Sequence, residues 1–93
     1  MNPIVSAIEA CQSASEVFDA MNRFLAWQRK THTDFIAYGP LPVQSARDIS
    51  AWRGALRTAA LQRRRSRKAL DDLIYIAEAL NAAWRRLEAL GRW

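Results

Sequence analysis

After Pro42 the chain contains no further proline, and its apolar side chains keep one heptad pattern almost to the end. Read in sevens from Ile49, the first and fourth positions of each heptad are filled without any change of register. These positions are Ile49, Trp52, Leu56, Ala59, Arg63, Ser66, Leu70, Leu73, Ala77, Leu80, Trp84 and Leu87. The pattern predicts long α-helices whose apolar face packs against another helix.

The middle of this pattern is polar, because Arg63 and Ser66 occupy two successive core positions. One solution is an unbroken helix, which at about 1.5 Å per residue would span about 65 Å and require a second chain to cover it. The other solution is a bend near Arg65, with Ser66 as the N-cap of a second helix in an antiparallel hairpin. We favour the bend, because an unbroken helix would place arginine in a coiled-coil core. A homodimer stays open as the alternative.

The first half of the chain predicts two shorter helices. Asn2 followed by Pro3 is typical of a helix start, because proline is well tolerated in the first turn. The sequences Ser13-Ala14-Ser15-Glu16 and Ser45-Ala46-Arg47-Asp48 each have the spacing of a capping box, which marks a helix N-terminus. The predicted helices cover about residues 3–12, 14–30, 46–64 and 67–90.

A loop is predicted between the second and third helices, over residues 31–44. It ends in Gly39-Pro40-Leu41-Pro42, where two prolines prevent a helix from continuing. Several of its side chains are large and apolar, so we expect the loop to pack over the helices rather than act as a solvated linker. These side chains are Phe35, Ile36, Tyr38, Leu41 and Val43.

Length and composition favour one all-α domain, residues 1–93, as a small helical bundle or a hairpin with long C-terminal helices. The 51% hydrophobic content is ordinary for a globular chain. The longest apolar run lies far below the roughly 20 residues of a membrane-spanning helix, and no secretory signal is recognisable. The sequence therefore predicts a cytoplasmic protein without a membrane partner.

The residues that usually support catalysis or metal binding are scarce. His32 is the single histidine and Cys11 the single cysteine, so no pair of these residues has metal-ligand spacing. Cys11 recurs with Ile4 and Ile8 at helical spacing, which favours packing over reactivity. We expect a non-enzymatic protein with no metal and no cofactor.

Charge is the most uneven property of the sequence. Residues 47–68 hold eight basic side chains and one acidic side chain, a net charge of +7. Residues 1–46 and 69–93 each carry a net charge of −1, so the total of +5 is concentrated in one segment. Arginine greatly outnumbers lysine, and its planar guanidinium group suits bidentate binding of carboxylate or phosphate.

This segment supports three hypotheses of function. The favoured one is a small interaction module or regulator that binds an acidic partner protein through an arginine-rich helix face. A DNA- or RNA-binding regulator is the alternative, although stacking aromatics are not interleaved with the arginines. A structural oligomer with merely solvated arginines is the third. The candidate binding residues are Arg53, Arg57, Arg63, Arg64, Arg65, Arg67 and Lys68.

Three tryptophans are candidate interface residues, since this residue type is enriched where proteins meet. Trp52 and Trp84 lie on the heptad pattern, so the protein's own core is their default location. Trp93 ends the chain, after Gly91 and Arg92, and has less reason to be internal. We therefore expect Trp93 to be the one that docks on a neighbouring chain or partner.

Overall fold

Residues 2–31 and 39–91 are described by a computed structural model. Their regular structure consists of four α-helices, and no strand occurs among them. The helices are α1 (Pro3–Glu9), α2 (Ala14–Thr31), α3 (Ala46–Gln62) and α4 (Arg67–Leu90). The prediction of an all-α helical bundle is confirmed.

The longest helix, α4, forms the centre of the bundle, because each of the other three helices packs against it. Its 24 residues extend over about 36 Å. That length nearly equals the longest dimension of the molecule, 38 Å, so the N-terminus of α4 lies at one end. Ala79, Ala82 and Ala83 are buried on α4, and their small side chains allow neighbouring helices to approach closely.

The bend between the two C-terminal helices is confirmed. The backbone N–H of Ser66 donates to the carbonyl of Arg63, and the Ser66 hydroxyl caps α4 by accepting from the N–H of Ala69 at 3.3 Å. The helices α3 and α4 pack against each other as a hairpin, so the unbroken helix is excluded. Since residues 63–65 form the turn, α3 ends at Gln62 rather than at residue 64 as predicted.

The first helix is shorter than predicted, because it ends at Glu9 and not near residue 12. The N–H of Gln12 donates to the carboxylate of Glu16 instead of to a carbonyl of α1. This bond fixes Gln12 at the start of α2, so α1 does not extend to it. The guanidinium of Arg86 on α4 donates to the Cys11 carbonyl at 2.7 Å, which fixes the chain where α1 has ended.

Both capping boxes are present in a modified form. The hydroxyls of Ser13 and Ser45 accept from the N–H groups three residues later, as predicted. The carboxylates of Glu16 and Asp48, however, accept from Gln12 and Gln44, one residue before each cap. The expected reciprocal pairing within each box is therefore wrong by one position, although both helices begin where predicted.

The loop between α2 and α3 packs on the bundle in its described part, residues 39–45. Val43 is buried, and both of its backbone polar groups bind the side-chain amide of Asn22 on α2. Leu41 also packs against the core. Thr31 belongs to α2 and not to the loop, while Phe35, Ile36 and Tyr38 lie outside the described residues.

Gly39 is held against the indole of Trp52. A Cβ atom added at Gly39 would lie 2.3 Å from Cδ2 of that ring, whereas one added at Gly54 on α3 meets no atom within 4 Å. We therefore expect Gly39→Ala to lower the free energy of unfolding by about 1–3 kcal/mol, because overpacking forces the indole to move. Urea unfolding followed by circular dichroism measures this change.

The matched control is Gly54→Ala, made at an exposed position inside a helix. This variant is expected to raise the free energy of unfolding by about 0.5–1 kcal/mol, because alanine loses less backbone entropy than glycine in a helix. Equal effects of the two substitutions would show that Gly39 does not approach Trp52 closely.

Candidate functional site

The basic residues of the +7 segment are concentrated at the end of the α3–α4 hairpin. We call Arg63, Arg64, Arg65, Arg67 and Lys68 the basic turn. Four of these side chains are exposed, Arg63 being the exception. Three of the five residues belong to the turn itself and not to a helix, so the predicted arginine-rich helix face is wrong in that detail. The charges surround one end of the hairpin.

Arg63 has a structural role that the other turn residues do not share. It is the C-cap of α3, and its backbone N–H donates to the carbonyls of Ala59 and Ala60. Its side chain is half-buried and donates to the amide oxygen of Gln62. Arg63 is therefore a poor choice for a substitution that tests binding alone.

The protein's own acidic residues pair with only part of the basic turn. Arg67 lies 3.6 Å from Asp71, one helical turn away, and these side chains are 91% and 62% exposed. Such a pair contributes little to stability in water. Arg64 and Arg65 form no ion pair with another described residue. Their positive charge therefore remains available at the surface.

A groove runs along the surface between α3 and α4, beside the basic turn. Its volume is about 270 Å³, and α1 and α2 contribute none of its lining residues. Leu56 and Leu73 form a buried floor, whereas Ile74 is 57% exposed. The lining residues are Arg53, Leu56, Arg57, Ala60, Leu70, Leu73, Ile74, Ala77 and Asn81.

Arg53 and Arg57 line the α3 side of this groove and stand one helical turn apart. Both side chains are exposed. The guanidinium carbon of Arg53 lies 5.6 Å from the ring centroid of Trp84, a cation–π distance. Trp84 is half-buried against the core. Trp84 thus contacts Arg53 at the edge of the groove, a contact that the sequence did not indicate.

Trp52 is a core residue and offers no surface to a partner. It is 2% exposed, its indole N–H donates to the carbonyl of Pro40, and the guanidinium of Arg29 lies 5.3 Å from its ring centroid. The same Arg29 donates to the carbonyl of Gly39 at 2.7 Å. The prediction that Trp52 is an interface residue is therefore wrong, and Trp52 lies in the protein's own core. Trp93 lies outside the described residues.

Sequence reasoning missed the groove, although it identified the arginines beside it. Leu70 and Ala77 belong to the heptad pattern, which predicts packing against another helix, but both are only partly buried. Ile74 lies off that pattern, and an exposed isoleucine inside an amphipathic helix is the one signal that could have pointed to a second apolar surface.

The lone cysteine is buried at the end of α1. Its thiol lies within hydrogen-bond distance of the Ala7 carbonyl, and it belongs to the hydrophobic core. Burial raises the pKa of the Cys11 thiol, and the carboxylate of Glu16 acts in the same direction. The thiol is therefore held in its protonated, unreactive form.

This environment predicts how stability depends on pH. Because folding raises the pKa of Cys11, the native state keeps a proton that the unfolded chain releases above about pH 8.5. The resulting stabilisation is complete below that pH and is lost as the pH rises through the native pKa. Wild type should lose stability above about pH 8.5 more steeply than Cys11→Ala, as measured by urea unfolding at several pH values. Parallel curves would contradict the assignment.

Among residues 2–31 and 39–91, no group of three or more histidine, cysteine or acidic side chains is placed to hold a metal ion. None of the described helices has the length and apolar character needed to cross a membrane. His32 lies outside the described residues.

Comparisons with protein-family models, with curated proteins and with solved structures give no match. Any functional proposal therefore depends on the geometry of the surface itself.

Proposed function

We propose that this protein is a small, non-enzymatic interaction module that binds an acidic surface of a partner protein in the cytoplasm. The binding surface consists of the exposed residues of the basic turn together with Arg53 and Arg57. The observation that supports it is the position of exposed guanidinium groups directly beside an open apolar groove. The simplest role for such a module is that of a regulator that acts by covering a surface of its partner.

Guanidinium groups suit this role for two reasons. Each presents a planar set of donors that can bind both oxygens of one carboxylate, and it remains charged at any physiological pH. A concentrated positive patch also accelerates the encounter with an acidic partner. Arg67 and Lys68 stand in the first turn of α4, where cations are unfavourable beside the positive end of the helix dipole. An acidic partner would relieve this repulsion.

The apolar groove favours a protein partner over a nucleic acid. A nucleic acid backbone presents phosphates and sugars and no large aliphatic side chain to cover Ile74 and the partly buried Leu70, whereas a protein segment has such side chains. Base stacking requires exposed aromatic rings beside the charges. The exposed Trp27 lies on α2, and Trp84 is half-buried beneath Arg53.

Nucleic acid binding is the second candidate, since Arg64, Arg65, Arg67 and Lys68 are exposed within five consecutive residues. Salt dependence separates the two functions. Fluorescence anisotropy would follow the binding of a labelled acidic peptide, a DNA duplex and a single-stranded RNA between about 50 and 200 mM KCl. At the higher salt concentration we expect the peptide to bind more tightly than either nucleic acid, because salt does not screen its apolar contacts. Tighter binding of either nucleic acid there would overturn the protein-partner function.

A homodimer is the alternative to a separate partner protein. Leu61 is 67% exposed and Ile74 is 57% exposed, so the hairpin carries apolar surface that a second copy could cover. Sedimentation equilibrium measures the mass directly. A monomer in solution would leave this surface available to the acidic partner.

A further inference from the structure

Two rows of apolar side chains line the α3–α4 groove. On α4, Leu70, Ile74 and Ala77 are spaced four and three residues apart and therefore share one side of the helix. On α3, Leu56 and Ala60 form the facing row. Two parallel rows of this kind are the usual receptor for the apolar face of a third helix.

The charged edge of the groove is asymmetric. Arg53 and Arg57 lie on the α3 side, whereas Ile74 and Asn81 line the α4 side. The guanidinium of Arg53 lies over the ring of Trp84, a contact that favours this position of the side chain. A helix lying in the groove would therefore meet two arginines along one flank only, at a spacing that matches acidic residues four positions apart.

The dimensions of the groove suit a short helix better than a small molecule. From Leu70 to Asn81 the lining extends over about 17 Å, which is about three helical turns. Its volume of about 270 Å³ is spread along an open surface, whereas small-molecule sites are typically enclosed pockets of about 300–1,000 Å³.

From these features we infer that the α3–α4 groove binds an amphipathic acidic helix of the partner protein. The apolar face of that helix packs on Leu70, Ile74 and Ala77, and glutamates along one flank bind Arg53 and Arg57. The basic turn binds further acidic residues beyond the end of the helix. This inference rests on the proposed function and specifies the kind of partner segment and where it docks.

Two synthetic peptides of identical composition test the inference. One segregates leucine onto one face, at positions i, i+3, i+4 and i+7, with glutamate along a flank; the other has the same residues scrambled. We expect the ordered peptide to bind at least about tenfold more tightly than the scrambled one, because only its leucines can enter the groove together. Isothermal titration calorimetry at about 150 mM salt gives both affinities.

Ile74→Gln and Leu61→Gln are a matched pair of variants. Both replace an exposed aliphatic residue by glutamine, but only Ile74 lines the groove. We expect Ile74→Gln to weaken binding of the ordered peptide about tenfold and Leu61→Gln to leave it unchanged. Circular dichroism establishes that both variants fold.

The outcomes separate the inference from the proposed function. Equal binding of both peptides, unaffected by Ile74→Gln, would show that the basic surface binds acids while the groove does not bind a helix. If neither peptide bound the wild-type protein, both the proposed function and the binding of a helix in the groove would be wrong. If sedimentation showed a dimer that Ile74→Gln dissociates, the occupant would be a second copy and the inference would be wrong.

Discussion

Replacing Trp52 by alanine is expected to lower the free energy of unfolding by about 3–5 kcal/mol, a large part of the total stability of a domain of this size. The indole is 2% exposed and joins three parts of the fold. It packs against Gly39, donates to the Pro40 carbonyl and lies beneath the guanidinium of Arg29. Alanine would leave a cavity and an unpaired carbonyl. Thermal and urea unfolding measure the loss.

Trp84→Ala is the control for this prediction. Trp84 also lies on the heptad pattern, at a first position where Trp52 holds a fourth, but it is only half-buried, and its ring lies near the guanidinium of the exposed Arg53. The same change of side chain should therefore be less destabilising there, by about 1–3 kcal/mol. A Trp52→Ala protein as stable as Trp84→Ala would contradict the assignment of Trp52 to the core.

Removing three charges from the binding surface is expected to lower the affinity for an acidic partner on the order of 100-fold, because each charge-assisted contact contributes about 1 kcal/mol. The variant carries Arg57→Gln, Arg64→Gln and Arg65→Gln. All three side chains are exposed and form no ion pair with another described residue. Their loss should leave helicity and unfolding unchanged. Surface plasmon resonance with the acidic peptide measures the affinity.

The matched control removes three arginines elsewhere, with Arg23→Gln, Arg47→Gln and Arg85→Gln. These side chains are also exposed, and both triple variants have the same formal net charge. The control should bind within about threefold of wild type, because distant exposed charges are screened by salt. Equal losses in the two triple variants would show that binding follows net charge and not a defined surface.

Helix starts and the hairpin could be predicted because each depends on residues that are close in sequence. Ser13, Ser45 and Ser66 cap their helices through hydroxyls that reach three residues forward. The bend followed from a local conflict, since Arg63 and Ser66 stand where a continuous coiled coil requires apolar side chains. The early end of α1 was missed, because Glu16 takes the N–H of Gln12 and not that of its own cap.

The candidate site was only partly predictable, because the groove depends on how α3 lies against α4. The sequence identified Arg53 and Arg57 as basic residues, but their position beside Ile74 follows from the packing of two helices. Arg63 was grouped with its neighbours by composition, although the turn makes it a helix cap. Likewise, the contact of Trp52 with Gly39 joins residues separated by a helix start and a loop.

The most direct test of the central claim is a map of the bound peptide on the protein. Backbone amide chemical shifts of the isotopically labelled protein would be followed during titration with the ordered acidic peptide. We predict that the largest changes fall on residues 53–60, on residues 70–81 and on the basic turn. Changes centred on α2 around Trp27, or on Arg85 and Arg86 at the far end of α4, would contradict it.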